Sequence, residues 1–223
     1  MTSISRAVSS AAAARPRAAV KRAFDIVVAA VLLVLAVPLL VMAGLLILTT
    51  SRGGILFRQE RLGRYRRPFV IYKFRTMAAG CTDEPHREYM RRLLAQDADA
   101  PTGGERGLYK LVDDPRVTRA GRLLRRTSLD ELPQLWNVLI GDMSLVGPRP
   151  ALPYEAEQFG PAHDRRYVVR PGITGLWQVS GRSRLTMRQG LRLDLEYVDR
   201  QSFLLDLKIL IKTVPAVLSP NAS

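Results

Sequence analysis

The sequence predicts an α/β fold, mostly helical with a few short strands, in which a membrane-embedded helix–break–helix precedes a cytoplasmic domain with amphipathic interfacial helices. Three observations predict it. An uncharged apolar stretch runs from Ile26 to Ser51, basic residues flank it on both sides, and the remainder mixes β-prone pieces, helical patterns and Gly/Pro-rich turns. The implied division is a disordered basic tail over 1–20, a re-entrant membrane helix over 21–51 and a cytoplasmic domain over 52–223, with a long loop at 78–110.

The apolar stretch, IVVAAVLLVLAVPLLVMAGLLILTTS, exceeds the roughly 18 residues that mark a membrane segment. A core helix this apolar would need a large domain around it, which 223 residues do not supply. Pro38 lies mid-stretch and lacks the N–H that would bond back to Val34, so a bend or break is expected there. Each half then reaches only roughly 18 Å, against a hydrocarbon core of about 30 Å. Arg15, Arg17, Lys21 and Arg22 precede the stretch, and Arg52, Arg58, Arg61, Arg64, Arg66 and Arg67 follow it. Positive flanks favour the cytoplasm, and a segment that enters and leaves by one face keeps both there. The Ala/Ser/Arg-rich residues ahead of it show no hydrophobic periodicity and read as a disordered tail.

The chain carries 34 Lys+Arg against 20 Asp+Glu, a formal charge of +14. Such an excess calls for an anionic partner: nucleic acid, a phosphorylated substrate or acidic lipid. Cys81 is the only cysteine, which excludes a disulfide framework or a thiolate metal cluster and fits a reducing compartment. Ile55–Phe57 and Phe69–Phe74 are short strands joined by the basic turn QERLGRYRRP. Residues 78–110 form a polar loop around a short helix near Arg87–Ala98. A helical pattern from Asp114 to Val146 is interrupted near Ser128–Pro133. VGPRP and RPGITG are turns, and Thr186–Val198 and Phe203–Leu218 are helices, the last either interfacial or packed on the core.

The chemistry concentrates in RRTSLDELPQLWNVLIGDMSLVGPRP. A proline is tolerated only in a helix's first turn, so the helix holding Pro133 should start near Asp130 and end at Gly141. That places Asp130 at a positive helix pole, where carboxylate and phosphate are both favoured. Ser128 with Glu131 also matches a capping box, and Asp130 is itself a good N-cap. The surroundings favour chemistry over capping: Arg125 and Arg126 lie upstream and Arg149 sits between two prolines downstream. Guanidinium groups bind phosphate oxygens, and carboxylates beside them repel a phosphate unless one is a nucleophile or holds a metal. His86 and His163 lie in polar loops, and Trp136 and Trp177 read as core or interfacial aromatics. Arg170 and Arg182 border glycine turns within reach of a nucleotide diphosphate.

The strings KRAFDIVVAAVLLVLAVPLL, FRQERLGRYRRPFVIYKFRTM, DDPRVTRAGRLLRRTSLDELPQLWNVLIGDMSLVGPRP and RPGITGLWQVSGR, in this order, resemble the monotopic phosphoglycosyl transferases, or bacterial sugar transferases. The resemblance runs from Lys21 to about Leu218 and is to the small form of the family. It implies a catalytic domain facing the cytoplasm at the bacterial inner membrane. There a sugar-1-phosphate passes from a UDP-sugar to undecaprenyl phosphate, with release of UMP, as the first membrane step of exopolysaccharide synthesis. Asp130 is implied as the nucleophile that carries an aspartyl phosphosugar, and Glu131 as its partner acid. Asp130 and Glu131 are the implied Mg²⁺ ligands, Arg149 the phosphate-binding arginine, Lys73 and Arg125 active-site neighbours, and Pro38 the membrane kink. The implied partners are the UDP-sugar, undecaprenyl phosphate and membrane lipid, not nucleic acid, with room for a homodimer. Val37 departs from the serine that often precedes this proline in relatives, and the loop at 78–110 is longer than in compact members. The rival reading is a membrane-tethered basic protein that binds anionic lipid or nucleic acid; it leaves the acid pair among arginines unexplained.

Overall fold

A computed structural model describes residues 2–51, 53–82, 84, 87–88, 114–181 and 185–218, with side chains in the first helix described from residue 18 onward. The first helix, α1, spans Thr2–Thr50 without interruption. Two expectations are corrected here. The segment expected as a disordered tail is helical back to Thr2, as suits its run of alanines, which extend an existing helix at no nucleation cost. Nor does Pro38 break the helix. It lies on the exposed face, so only one backbone bond is forfeited and the opposite face still packs. That inner face is a stripe of Ala29, Ala36, Ala43 and Ile47, all buried, preceded by buried Asp25. Spacings of four and seven keep these residues on one side of a helix.

Strands β1 (Leu56–Leu62) and β2 (Pro68–Phe74) form an antiparallel hairpin that pairs Leu56 with Phe74 and Leu62 with Pro68. The strand therefore takes in QERL, expected as turn, and only Gly63–Arg67 reverses the chain. Arg61 explains the difference: it points inward, buried, and donates to Pro150 O (3.0 Å) and Gln59 Oε1 (2.7 Å). Helix α2 (Arg119–Arg126) starts at Thr118, whose hydroxyl accepts from Gly121 N at 2.9 Å. A 3₁₀ turn follows at Leu129–Glu131, then α3 (Gln134–Ile140), which Gly141 ends at φ 98°. That is the interruption and the stop expected from the sequence.

Short strands β3 (Ser144–Val146) and β4 (Gly172–Thr174) pair in parallel, the first at the end of the pattern expected as helical and the second within a string expected as a turn. Between them lie α4 (Pro153–Phe159) and a 3₁₀ stretch, Pro161–Val168. Helix α5 (Leu176–Ser180) leads to α6 (Met187–Arg200), which opens on a Thr186–Gln189 capping box, and to α7 (Phe203–Leu218).

The main core packs Ala29 of α1 against Ile71, Leu135, Val138, Met143, Tyr197 and Ile209. A second cluster joins Ala43 and Ile47 of α1 to Phe74 and Leu124. Both halves of the apolar stretch are thus held by one domain. Just ahead of its apolar stretch, α1 is also tied by polar bonds. Arg22 donates to Val138 O and Leu139 O at 2.7 and 3.0 Å, and Lys21 reaches Asp206 Oδ2 at 2.7 Å. The outer face of α1 stays apolar and exposed, as do Phe203, Leu204, Leu207, Ile211 and Val214 of α7. Phe24 and Phe203 meet edge to face with centroids 5.1 Å apart, so the two exposed faces adjoin. Helix α7 packs on the core through Ile209 and leaves its opposite stripe open.

Candidate active site

The turn that carries the acid pair is set by what precedes it. Thr127 ends α2, and Ser128 takes a left-handed conformation (φ 55°) that costs a non-glycine residue about 1 kcal/mol. Ser128 makes no side-chain cap, and α3 begins only at Gln134, with Pro133 at its N-cap. The expected position of Asp130 at the pole of α3 is therefore corrected, and the capping box weighed against it does not form either. Asp130 and Glu131 stand in a separate 3₁₀ turn, and the α-helix begins only after Pro133.

This turn faces the end of β2. Glu131 Oε1 accepts from Lys73 Nζ at 2.9 Å, with the two side chains 39% and 25% exposed, so the pair is open to a ligand. Asp130, half-buried, lies within the electrostatic reach of Arg125, whose Nε donates to Thr76 Oγ1 at 2.9 Å. Burial lowers the Arg125 pKa, and the Asp130 charge opposes that shift.

Arg149 arrives from the Pro-Arg-Pro turn. Its Nη1 donates to Glu155 Oε2 at 3.1 Å, and Glu155 is wholly buried in the first turn of α4. Arg61 approaches the same oxygen at 4.0 Å. Burial alone would raise the Glu155 carboxyl, but Arg149, Arg61 and the Leu152 N–H outweigh it and hold the carboxyl below its usual value. Burial lowers Arg61 to about 10; Arg149 adds to that shift, while Glu155 and Glu131 oppose it. Arg61 thus feels both Arg149 and Glu131, linking the acid pair to the Pro-Arg-Pro turn. Behind them the buried Arg166 donates to Arg149 O at 2.7 Å and pairs with the buried Asp194 at 2.6 Å, which fixes the turn's backbone.

Of the residues singled out from sequence, Asp130, Glu131, Lys73 and Arg125 come together, and Arg61 connects them to Arg149. Arg170 does not join them. Its Nε donates to Gly141 O at 2.8 Å, at the far end of α3, about 10 Å along the helix from the acids. There it satisfies an end carbonyl of α3 alongside Arg22. Arg182 lies outside the described residues, as do His86 and most of the loop at 78–110. Trp177 is core and Trp136 is exposed. Arg61 and Glu155 were not singled out from sequence. The alternation Phe57, Gln59, Arg61 was the one signal for the former.

Among the described residues no group of three or more His, Cys, Asp and Glu side chains gathers as a metal cluster. Asp130 and Glu131 offer two carboxylates on one short turn. That fits Mg²⁺, which binds through one or two carboxylates and completes its shell with water and substrate phosphate.

Residues 16–220 match the bacterial sugar transferase family. The chain is 41% identical over 205 residues to a UDP-galactose-lipid carrier transferase of Erwinia amylovora, covering 91% of this chain and 41% of that protein. It is 43% identical over 217 residues to a UDP-glucose:undecaprenyl-phosphate glucose-1-phosphate transferase of Caulobacter vibrioides, covering 92% and 73%. It is 39% identical over 197 residues to the exopolysaccharide production protein ExoY of Rhizobium meliloti, covering 88% and 84%. The chain spans about two fifths of the length of the Erwinia protein and of a Salmonella typhimurium relative, of which it covers 40%. With a match that takes in its acid-pair turn, its Pro-Arg-Pro turn and the apolar half of α1, the chain belongs to the bacterial sugar transferase family.

Proposed function

We propose that this chain moves a sugar-1-phosphate from a UDP-sugar to undecaprenyl phosphate at the cytoplasmic face of the bacterial inner membrane, as a step in exopolysaccharide synthesis. The observation that carries the reading is an accessible pair of carboxylates inside a cluster of cations, next to a large exposed apolar surface. The names of the relatives support donor and acceptor classes of this kind.

In the first step a carboxylate oxygen of Asp130 attacks the sugar-bearing phosphorus. The bond from phosphorus to the bridging oxygen breaks, and UMP leaves with that oxygen and its electron pair. In the second step a phosphate oxygen of the lipid attacks the same phosphorus, the aspartyl bond breaks, and the carboxylate is restored. Both steps bring anions together, so cations must be in place beforehand. Lys73 holds Glu131 to one side, leaving its neighbour to act, and contributes positive charge. Arg149 and Arg125 face phosphate oxygens, with Arg149 held ready by Glu155. Mg²⁺ on Asp130 and Glu131 would neutralise diphosphate charge in the same place. The attachment of both halves of the apolar stretch to one domain supports a segment held at one face of the membrane over a crossing one.

The test is UMP release from a panel of UDP-sugars with undecaprenyl phosphate and Mg²⁺, followed by mass analysis of the Asp130 peptide after donor alone. Release, and an added sugar-phosphate mass that Asp130→Asn abolishes, are expected. Turnover in Asp130→Asn, or an adduct on another residue, overturns the mechanism. No release with any donor favours a membrane-tethered binding protein.

A further inference from the structure

Three arginines gather where α3 ends, away from the acid pair, and each is clamped to backbone. Arg170 Nε donates to Gly141 O at 2.8 Å, Arg22 bonds Val138 O and Leu139 O, and Arg64 Nε donates to Val168 O at 2.9 Å. A Cβ on Gly141 would stand 3.3 Å from Arg22 Nη2, so Arg22 and Arg170 meet across that residue. Val168 lies two positions before Arg170, which brings Arg64 to the same place. Burial lowers the Arg170 pKa, and the charges of Arg22 and Arg64 lower it further. Among the described residues none of the three forms an ion pair with a carboxylate, and no acceptor takes the Nη groups of Arg64 or Arg170. Guanidinium groups fixed at one nitrogen, with the others open, are prepared for the oxygens of a phosphate.

The turn that delivers Arg64 is strained. Tyr65 and Arg66 both stand at φ 58°, a region that suits Asn and Gly and disfavours bulky side chains. Arg66 is engaged by Asp164 and lies over the Tyr167 ring, but its pair with Asp164 is exposed and contributes little. Tyr65 places its ring under the Arg64 guanidinium, 4.6 Å from centroid to carbon, and is otherwise exposed. Ile140 and Val168, also exposed, adjoin the same cations. The first exposed residues of the apolar stretch, Ile26 and Val27, follow Arg22 by about one helical turn. Basic and aromatic side chains at the mouth of a membrane segment belong at headgroup level, where anionic lipids supply phosphate. Strain kept in such a turn points to binding there.

We propose that Arg22, Arg64 and Arg170 seat the phosphate of an anionic bilayer phospholipid, with the Tyr65 turn as the outer wall of the site. The inference goes beyond the transferase reading and is tested without turnover. The full chain in neutral detergent is given phosphatidylglycerol and phosphatidylcholine of matched acyl chains, and bound lipid is measured by native mass spectrometry. Phosphatidylglycerol should be retained about tenfold over phosphatidylcholine, and Arg64→Gln should weaken that retention about fivefold, the scale of one basic residue at a lipid surface. A second variant, Tyr65→Asn with Arg66→Gly, relieves the turn. It should melt about 3 °C higher than the parent and still retain less phosphatidylglycerol, because Arg64 loses its supporting ring. Equal retention of the two lipids by the parent overturns the proposal, as does parent-like phosphatidylglycerol retention in both variants. Displacement of phosphatidylglycerol by inorganic phosphate or by UDP also overturns it, and would make the cluster a site for soluble anions.

Discussion

Glu155 never meets solvent, yet it governs the cation that the donor's phosphates would meet. Its carboxylate holds Arg149 Nη1 at 3.1 Å, lies 4.0 Å from Arg61 and accepts from Leu152 N at 2.8 Å. Removing one partner of a buried ion pair is costly, by about 3 kcal/mol or more, since the other charge stays buried alone. Glu155→Gln keeps the side-chain shape and the Leu152 bond but leaves Arg149 and Arg61 repelling each other. We expect kcat/KM for the UDP-sugar to fall by about 100-fold, on the scale of losing one charge-assisted contact in a preorganised site. The effect should pass through Arg149. In an Arg149→Ala background the same substitution should change kcat/KM by less than threefold, whereas full additivity would reduce Glu155 to a packing residue. A pH consequence follows from its lowered pKa. The ionised carboxylate stabilises the fold above its ordinary value of 4.5, and that stability is lost as the pH falls through the lower folded-state value. A melting curve in detergent should show this acid limb in the parent and a shallower one in Glu155→Gln. Residues of this kind were the hardest to read from sequence. Asp130, Glu131, Lys73, Arg125 and Arg149 declare themselves by chemical type within short strings. Arg61 and Glu155 act from behind, on strands and helices whose pairing is non-local, and in sequence they look like ordinary surface charges.

Helix α2 shows how an element can position a site that it contributes to only at its end. Thr76 O accepts from Thr118 N at 3.0 Å, and a Cβ on Gly121 would stand 2.0 Å from that oxygen. The approach is backbone against backbone, so no side-chain rotation can relieve it. Gly121→Ala should push α2 off Thr76 and break the 2.9 Å bond from Arg125 to Thr76 Oγ1, which sets that guanidinium beside Asp130. Overpacking of this sort costs about 1–3 kcal/mol. The variant should melt several degrees lower and form the donor adduct more slowly. A parent-like melting temperature together with parent-like adduct formation would show that the close contact is dispensable. At this scale the sequence was legible wherever a local rule decided the outcome. The stop at Gly141, the interruption at Ser128–Pro133 and the last two helices follow from periodicity and turn chemistry. Strands β3 and β4 did not, because three-residue strands, one ending a helical pattern and one inside a Gly/Pro-rich string, exist only through their partner across the fold. The start of α3 was misjudged for a related reason: a 3₁₀ turn and the first turn of a helix share the same sequence signals. Pro38 was expected to break α1, yet packing of the inner stripe carries the helix past it.

At the scale of the whole molecule, the decisive relation is between α1 and everything else. Just ahead of its apolar stretch it is tied through Lys21 to Asp206, which Tyr197 also binds at 2.7 Å, and through Arg22 to the carbonyls that end α3. Some twenty residues later Ala43 and Ile47 pack against Phe74 and Leu124. A straight helix of that length would cover about 30 Å, the thickness of a hydrocarbon core. Were it to cross, one of these attachments would have to sit beyond the far side of the bilayer, and the charged residues of the same domain would follow it there at a cost of several kcal/mol each. Keeping both attachments on one side leaves the exposed outer faces of α1 and α7 to dip into the lipid together. Topology mapping decides this directly. Cys81 is exposed and must first be replaced by serine, after which Ala19→Cys and Gly54→Cys, on the exposed flanks, report the two ends separately. A membrane-impermeant maleimide added to intact spheroplasts should label neither. After permeabilisation it should label both equally. Labelling of either cysteine in intact cells would establish a crossing helix, and would require one of the two attachments to form differently in the membrane.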